Sequence, residues 1–261
     1  MTPYFTDTDV TLYLGDMRSV LPALDLTVDC VIADPPYGET SLAWDRWPSG
    51  WPDALIGAAR SMWCFGSMRM FLARSTEFQA WKLSQDAVMR KPLGTNFAAD
   101  RLVRVHEHAL HFYRGAWAEI RHETPRLQVE IRRRGKQKQG RAGGDHLGRV
   151  GHHGTWEDDG TRLLQSVIDV PGMRGHAVHP TEKPSAILRP LIEYACPPGG
   201  IVLDPFAGSG STAVAARLTG RRAVLIEADE RYCEVIAKRL CQGVLPLPDA
   251  RSAAAGERSE G

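Results

Sequence analysis

Asp34 closes the apolar run Cys30-Val31-Ile32-Ala33 and is followed at once by Pro35, Pro36 and Tyr37. A carboxylate is an acceptor-only group, here held at the rim of a core. Each proline fixes φ near about −65° and removes an N–H donor, so the turn is stiff and offers no backbone competitor for Asp34. Tyr37 adds a flat aromatic face. A second acid-ended run, Ile201-Val202-Leu203-Asp204, lies 170 residues on and leads into Pro205-Phe206-Ala207-Gly208-Ser209-Gly210. Gly208 and Gly210 let the backbone approach a ligand closely. The helix expected after them offers free N–H groups and positive potential. Asp204 can accept hydrogen bonds from a cationic or hydroxylic group. Glu227, 19 residues beyond Gly208 at the end of the next apolar run, can grip two vicinal ribose hydroxyls.

Three readings of the glycine turn compete. It could be a tight turn without a ligand. A phosphate loop would need the G-K-[ST] that is missing. A nicotinamide fingerprint fits, because GSGSTA matches G-x-G-x-x-A with an acid at the right distance. An adenosyl cofactor or a dinucleotide would satisfy this unit equally. The histidines point to no metal. In HEHALH, residues 106–111, Leu110 stands where the second ligand of H-E-x-x-H belongs. His146, His152 and His153 sit in a polar stretch.

Strands of a buried sheet must position these acids. Short apolar runs recur at 11–14, 30–33, 62–65, 70–73, 109–113, 201–204 and 223–227, as expected for strands covered on both faces. Between the last two sits GSTAVAARLTG, a helix-length segment with Gly220 as its C-cap, which makes a βαβ unit. The chain of 261 residues is one sizeable α/β domain with room for an insert. Net charge is +1, so only local clustering could indicate an anionic partner. Residues 114–153 cluster in this way, with 10 Lys/Arg against 4 Asp/Glu, including Arg132, Arg133, Arg134, Lys136 and Lys138. A solvated surface insertion and a phosphate-contacting one both fit that excess. Five scattered cysteines without a C-x-x-C pair point to reduced thiols. Neither a signal pattern nor an apolar run of membrane-span length occurs, which suggests a soluble intracellular protein. Residues after 243 read as a disordered tail.

Taken together, DPPY, the HPTEKP at 179–184 and DPFAGSGST resemble the S-adenosylmethionine-dependent DNA amino-methyltransferases, which modify N6 of adenine or N4 of cytosine. The order, DPPY before the glycine turn with a basic segment between, resembles the β class, a circularly permuted arrangement. TLYLGDMRSVLPAL, GETSLAWDRWPSGW, HEHALHFYRG and AVLIEADERYCEVIAKRL resemble further family segments.

The resemblance implies a Rossmann-like, doubly wound, mostly parallel seven-stranded α/β sheet. Strand 201–204 should lie between 30–33 and 223–227, with 11–14 beyond. It implies a catalytic half over 1–113, a target-recognition insertion over 114–170 and a cofactor-binding half over 171–243. Asp34, Pro35, Pro36 and Tyr37 would handle a flipped base in double-stranded DNA. Asp204, Phe206, Gly208 and Gly210 would surround the cofactor's methionine end, Glu227 its ribose and Asp16 its adenine. Thr181 and Lys183 would approach its carboxylate, and no metal is required. Asp34 at the first tetrapeptide position favours adenine over cytosine. A cytoplasmic bacterial or phage setting follows, leaving open a homodimer and a restriction-endonuclease partner. Two other functions stay in play. A nicotinamide oxidoreductase would leave DPPY and HPTEKP unexplained. A non-catalytic DNA-binding relative sits poorly with an intact Asp34, Tyr37 and glycine turn.

Overall fold

The computed structural model describes residues 1–92, 94, 99–129, 159–170 and 183–242. They divide between two compact units, Met1–Glu123 with Ser166–Gly261, and Thr124–Gln165.

The first unit begins with β1 (Phe5–Thr6), β2 (Val10–Leu14) and α1 (Met17–Leu24). Asp16 caps α1 by accepting from Arg18 N at 2.8 Å. Next come β3 (Cys30–Ala33), the short α2 (Trp51–Ala54) and β4 (Ser61–Gly66). Then follow α3 (Met68–Ala73), β5 (Lys82–Arg90) and β6 (His106–Tyr113). β7 (Arg126–Gln128) and β8 (Thr161–Leu163) form the second unit, an antiparallel two-stranded ladder pairing Leu127 with Arg162. The chain re-enters the first unit with β9 (Val167–Asp169) and α4 (Ser185–Ala195). It ends in β10 (Ile201–Asp204), α5 (Ser211–Leu218), β11 (Arg222–Glu227) and α6 (Glu230–Cys241).

One sheet carries the first unit, in the order β1-β2-β11-β10-β3-β4-β6-β5-β9. β10 pairs in parallel with β11 on one side and β3 on the other, and β2 lies beyond β11. That is the order expected from the sequence. β6 runs antiparallel between β4 and β5, and short edge strands extend the sheet from seven to nine. β3 is buried along its whole length; its four apolar residues cover both faces, each large one contributing about 1.5–3 kcal/mol. Val31, Met62, Leu110 and Leu203 face the layer that holds Trp51 and Phe71. The other face packs on α4, α5 and α6.

Two local expectations need correction. Residues 70–73, read as a strand, belong to α3. Ser67 caps that helix, its Oγ accepting from Met70 N at 2.9 Å. Met70 and Phe71 are buried while Leu72 is 71% exposed, a one-sided helical pattern too short to separate from a strand by periodicity. β5 escaped notice because its first half is exposed and polar. The cap of α5 follows expectation: Gly220 has φ 69°, with Gly220 N donating to Arg217 O and Arg221 N to Ala216 O, the double bond of a Schellman turn.

Candidate active site

β2, β11, β10 and β3 run parallel, so their carboxyl ends share one edge. Asp16, Glu227, Asp204 and Asp34 each sit at or just past a strand end there. Backbone bonds tie the corners together: Gly15 N donates to Glu227 O at 2.8 Å and Ala207 N to Ile226 O at 3.0 Å.

Asp34 is half-buried and both its oxygens are engaged. Tyr37 Oη donates to Oδ1 at 2.8 Å, and Lys183 Nζ donates to Oδ2 at 2.5 Å. Burial pushes the Tyr37 hydroxyl well above its usual range, with the Asp34 and Glu107 charges adding to it, so it stays a donor. Lys183, expected near a cofactor carboxylate, has its ammonium between two acids, with Glu107 Oε2 at 3.5 Å. Glu107 also ion-pairs with Lys91 through Oε1. Burial alone would discharge Lys183, but Asp34 and Glu107 outweigh it and raise its pKa. Pro35 is buried behind the turn and Pro36 partly so.

The loop after Tyr37 is held by a carboxylate that sequence reading did not single out. Asp45 is 3% exposed. Its oxygens accept from Gly38 N at 2.7 Å, Glu39 N at 3.0 Å and Thr40 N at 2.7 Å. Burial works to raise its pKa, but the Thr40 side chain and these backbone donors together bring it below the usual carboxylate value.

On the glycine side, Gly208 has φ 51° and Gly210 φ 76°, backbone that favours glycine. A Cβ on Gly210 would lie 3.1 Å from Ile236 Cγ2, so this glycine lets α6 pack closely. A Cβ on Gly208 would meet nothing nearer than 3.9 Å, so its backbone is bare toward open space. Glu227 Oε2 accepts from Gly208 N at 2.8 Å and Oε1 from Asp229 N at 2.9 Å. Burial raises the Glu227 pKa. Asp204 is pushed up to about 7, first by burial, with the Asp34 and Glu227 charges adding and the hydrogen bonds from the Thr212 side chain and the Phe206 backbone N–H opposing. Phe206 meets Trp51 edge-on at 5.3 Å.

Asp16 is an N-cap, and its carboxylate is also clamped by the Arg18 guanidinium at 2.5 and 3.0 Å. Thr181, Arg132, Arg133, Arg134, Lys136, Lys138 and the tail lie outside the described residues. In HEHALH, His111 is buried, with Ser61 Oγ on Nε2 at 2.9 Å and Ser84 Oγ on Nδ1 at 2.5 Å. Burial brings it to about 4, so the ring is neutral. Glu107 belongs to the same stretch, and its link to Lys183 joins residues far apart in sequence. A separate cleft of about 710 Å³, lined by Asp29, Ser61 and Arg114, opens at the amino ends of β3 and β4, away from these acids.

A family model described as DNA methylase matches residues 28–239. The chain belongs to this family. Over 74 residues it is 54% identical to YubD of Escherichia coli (strain K12), an alignment covering 28% of this chain and 33% of YubD. The chain thus matches about a third of that curated relative's length. The fold is that of the M1.HpyAVI–SAM complex, with TM-score 0.63 at 21% identity over 88% of this chain and 98% of that one. The PvuII DNA methyltransferase, cytosine-N4-specific, gives TM-score 0.63 at 13% identity, covering 97% of this chain and 92% of that one. At these identities the likeness is one of fold. The mostly parallel α/β sheet is therefore the fold of these neighbours, and in this chain Asp34 and Gly208 follow the adjacent strands β3 and β10 of it.

Proposed function

We propose that this chain is a DNA amino-methyltransferase that uses S-adenosylmethionine and acts on N6 of an adenine flipped out of double-stranded DNA. The observation that carries this reading is the shared edge, where Asp34 ends β3 and the Asp204–Gly208–Glu227 group ends the neighbouring β10 and β11. The family match supports it.

S-adenosylmethionine, when bound, supplies a methyl activated on a sulfonium. The residues fit such a group. The backbone over Gly208 is bare, and Asp204, buried, and Glu227, half-buried, are acceptors suited to a cationic centre and to ribose hydroxyls. Phe206, Gly210, Asp16 and Thr181 complete the cofactor-binding set. Gly208 N is already held by Glu227, and the acids make this edge hostile to a pyrophosphate, which counts against a dinucleotide.

An exocyclic amine is a poor nucleophile because its lone pair is delocalised into the ring. Asp34 accepts one of its N–H bonds and a carbonyl near Pro35 accepts the other, drawing the lone pair out toward the methyl. The gain comes from orientation and from stabilising the positive charge that grows on nitrogen. The proton then leaves to water, so Asp34 need not be a strong base. Tyr37 orients Asp34 through its hydroxyl and offers a face to the extruded base, worth about 1–3 kcal/mol of stacking. Residues 114–170 act in target recognition between the catalytic half, 1–113, and the cofactor half, 171–243.

The test is tritiated methyl transfer to DNA followed by nucleoside digestion. N6-methyladenine is expected. N4-methylcytosine alone would reverse the base assignment, a reading kept open because the PvuII fold neighbour is cytosine-N4-specific. No methylated nucleoside, or thermal stabilisation by NAD rather than by S-adenosylmethionine, would overturn the activity itself.

A further inference from the structure

Lys183 creates a difficulty for the acid it holds. Its ammonium donates to Asp34 Oδ2 at 2.5 Å, where an N–H of the target amine would have to bind. It also carries positive charge beside a nitrogen on which positive charge must grow, and in a buried site that repulsion is weakly screened. A competent complex therefore needs the ammonium off Asp34. Tyr37 need not leave, because its hydroxyl is neutral and opposes no charge growing on the nitrogen.

The structure provides a second seat. Glu107 Oε2 lies 3.5 Å from Lys183 Nζ, is buried, and has no hydrogen-bond partner among the described residues, whereas Oε1 is occupied by Lys91. The 3.5 Å contact is an ion pair too long for a good hydrogen bond, so the ammonium can close further on Oε2. The Phe65 ring lies 5.1 Å from the same ammonium.

We infer that Lys183 is a placeholder for the target amine: it occupies Asp34 in the free protein and swings to Glu107 Oε2 when the flipped base takes its place. Glu107 is then a positioning residue, acting on the reaction through Lys183. The device keeps Asp34 paired when no base is present and draws the ammonium off it, onto Glu107, when one arrives. The inference rests on the reading that Asp34 accepts the amine.

The test reads single-turnover methyl transfer at saturating cofactor on a duplex carrying the mapped target. Glu107→Gln removes the second seat and leaves Lys183 on Asp34. The transfer rate should fall about 10-fold, inside the range of measured pairwise couplings, and removing the ammonium as well, in Glu107→Gln/Lys183→Met, should recover at least about 3-fold of it. A purely structural Glu107 gives no recovery. If Glu107→Gln does not fold, Glu107→Asp, which keeps the charge but withdraws it, is compared with Glu107→Asp/Lys183→Met for the same sign.

A second readout is independent of activity. The chain has 6 lysines, so in protein labelled with ¹⁵N at lysine the Lys183 Nζ resonance can be assigned by its loss in Lys183→Met. It should move on binding the target duplex. An unmoved resonance, or a double variant no faster than the single one, overturns the inference. The underlying reading fails separately, if Asp34→Asn transfers methyl at the parent rate.

Discussion

Replacing Asp204 with Asn should stabilise the protein at neutral pH, and by an amount that depends on pH in a defined direction. Asn keeps an oxygen for Phe206 N, which donates to Asp204 Oδ1 at 3.0 Å, so the turn geometry survives. What disappears is the cost of ionising a carboxyl that is 5% exposed and faces the Asp34 and Glu227 charges. Its pKa stands at about 7 in the fold against a usual 3.8. Below the lower value both folded and unfolded chains carry the proton, and the group does not disturb folding. As pH rises through this window the unfolded chain ionises freely while the folded one resists, so stability is lost up to about pH 7 and stays lost above it. At 1.36 kcal/mol per pH unit, the full difference is about 4 kcal/mol, an upper figure. Urea unfolding of parent and variant should give equal stabilities near pH 4 and a variant advantage of up to about 4 kcal/mol near pH 8. The cost has a counterpart in binding. A cationic cofactor favours the ionised form, so parent affinity for S-adenosylmethionine should rise through about pH 7, and the variant should bind more weakly with a flatter profile. A variant that is less stable than the parent across the range, or more stable by a constant amount, would refute the desolvation argument.

Asp45→Ala leaves the Gly38, Glu39 and Thr40 N–H groups without their acceptor and should cost about 2–4 kcal/mol in thermal or urea unfolding. Because its folded pKa is lowered, that stabilisation is present above the usual carboxylate pKa and is lost as pH falls through the folded one. Gly210→Ala places a methyl at φ 76° and 3.1 Å from Ile236 Cγ2; a loss of about 1–3 kcal/mol is expected. Replacing Arg132, Arg133 and Arg134 with Ala should flatten the salt dependence of DNA binding by about 0.9 for each phosphate that is no longer neutralised, without changing cofactor affinity. An unchanged slope would make the basic stretch a solvated surface.

The sheet centre was legible because β3, β10 and β11 are covered on both faces, and such strands read as unbroken apolar runs ending in an acid or a turn. Their spatial order followed from the resemblance to the permuted methyltransferases rather than from any residue pattern. β5 was not legible, since its exposed half breaks the alternation and only its pairing with β6 makes it a strand. Asp45 gave no local signal, because it caps donors 5 to 7 positions earlier in an irregular loop. Lys183 stood out in the sequence for its charge, but its partner Asp34 is 149 positions away, and no spacing rule reaches that far.

Four carboxylates crowd one edge of the sheet, and each is made tolerable in a different way. The Arg18 guanidinium neutralises Asp16, Lys183 neutralises Asp34, two backbone N–H groups hold Glu227, and a raised pKa favours a proton on Asp204. Like charges this close would otherwise destabilise the fold. The same crowding selects ligands. A glycine turn with free N–H groups and no acids nearby attracts phosphate; this one has Gly208 N tied to Glu227 and acids on adjoining strands. It therefore favours cations, hydroxyls and N–H donors. A sulfonium cofactor with an ammonium and a ribose carries all of these. The nicotinamide alternative, equal to the adenosyl one when only GSGSTA and Glu227 were compared, loses on the placement of charge.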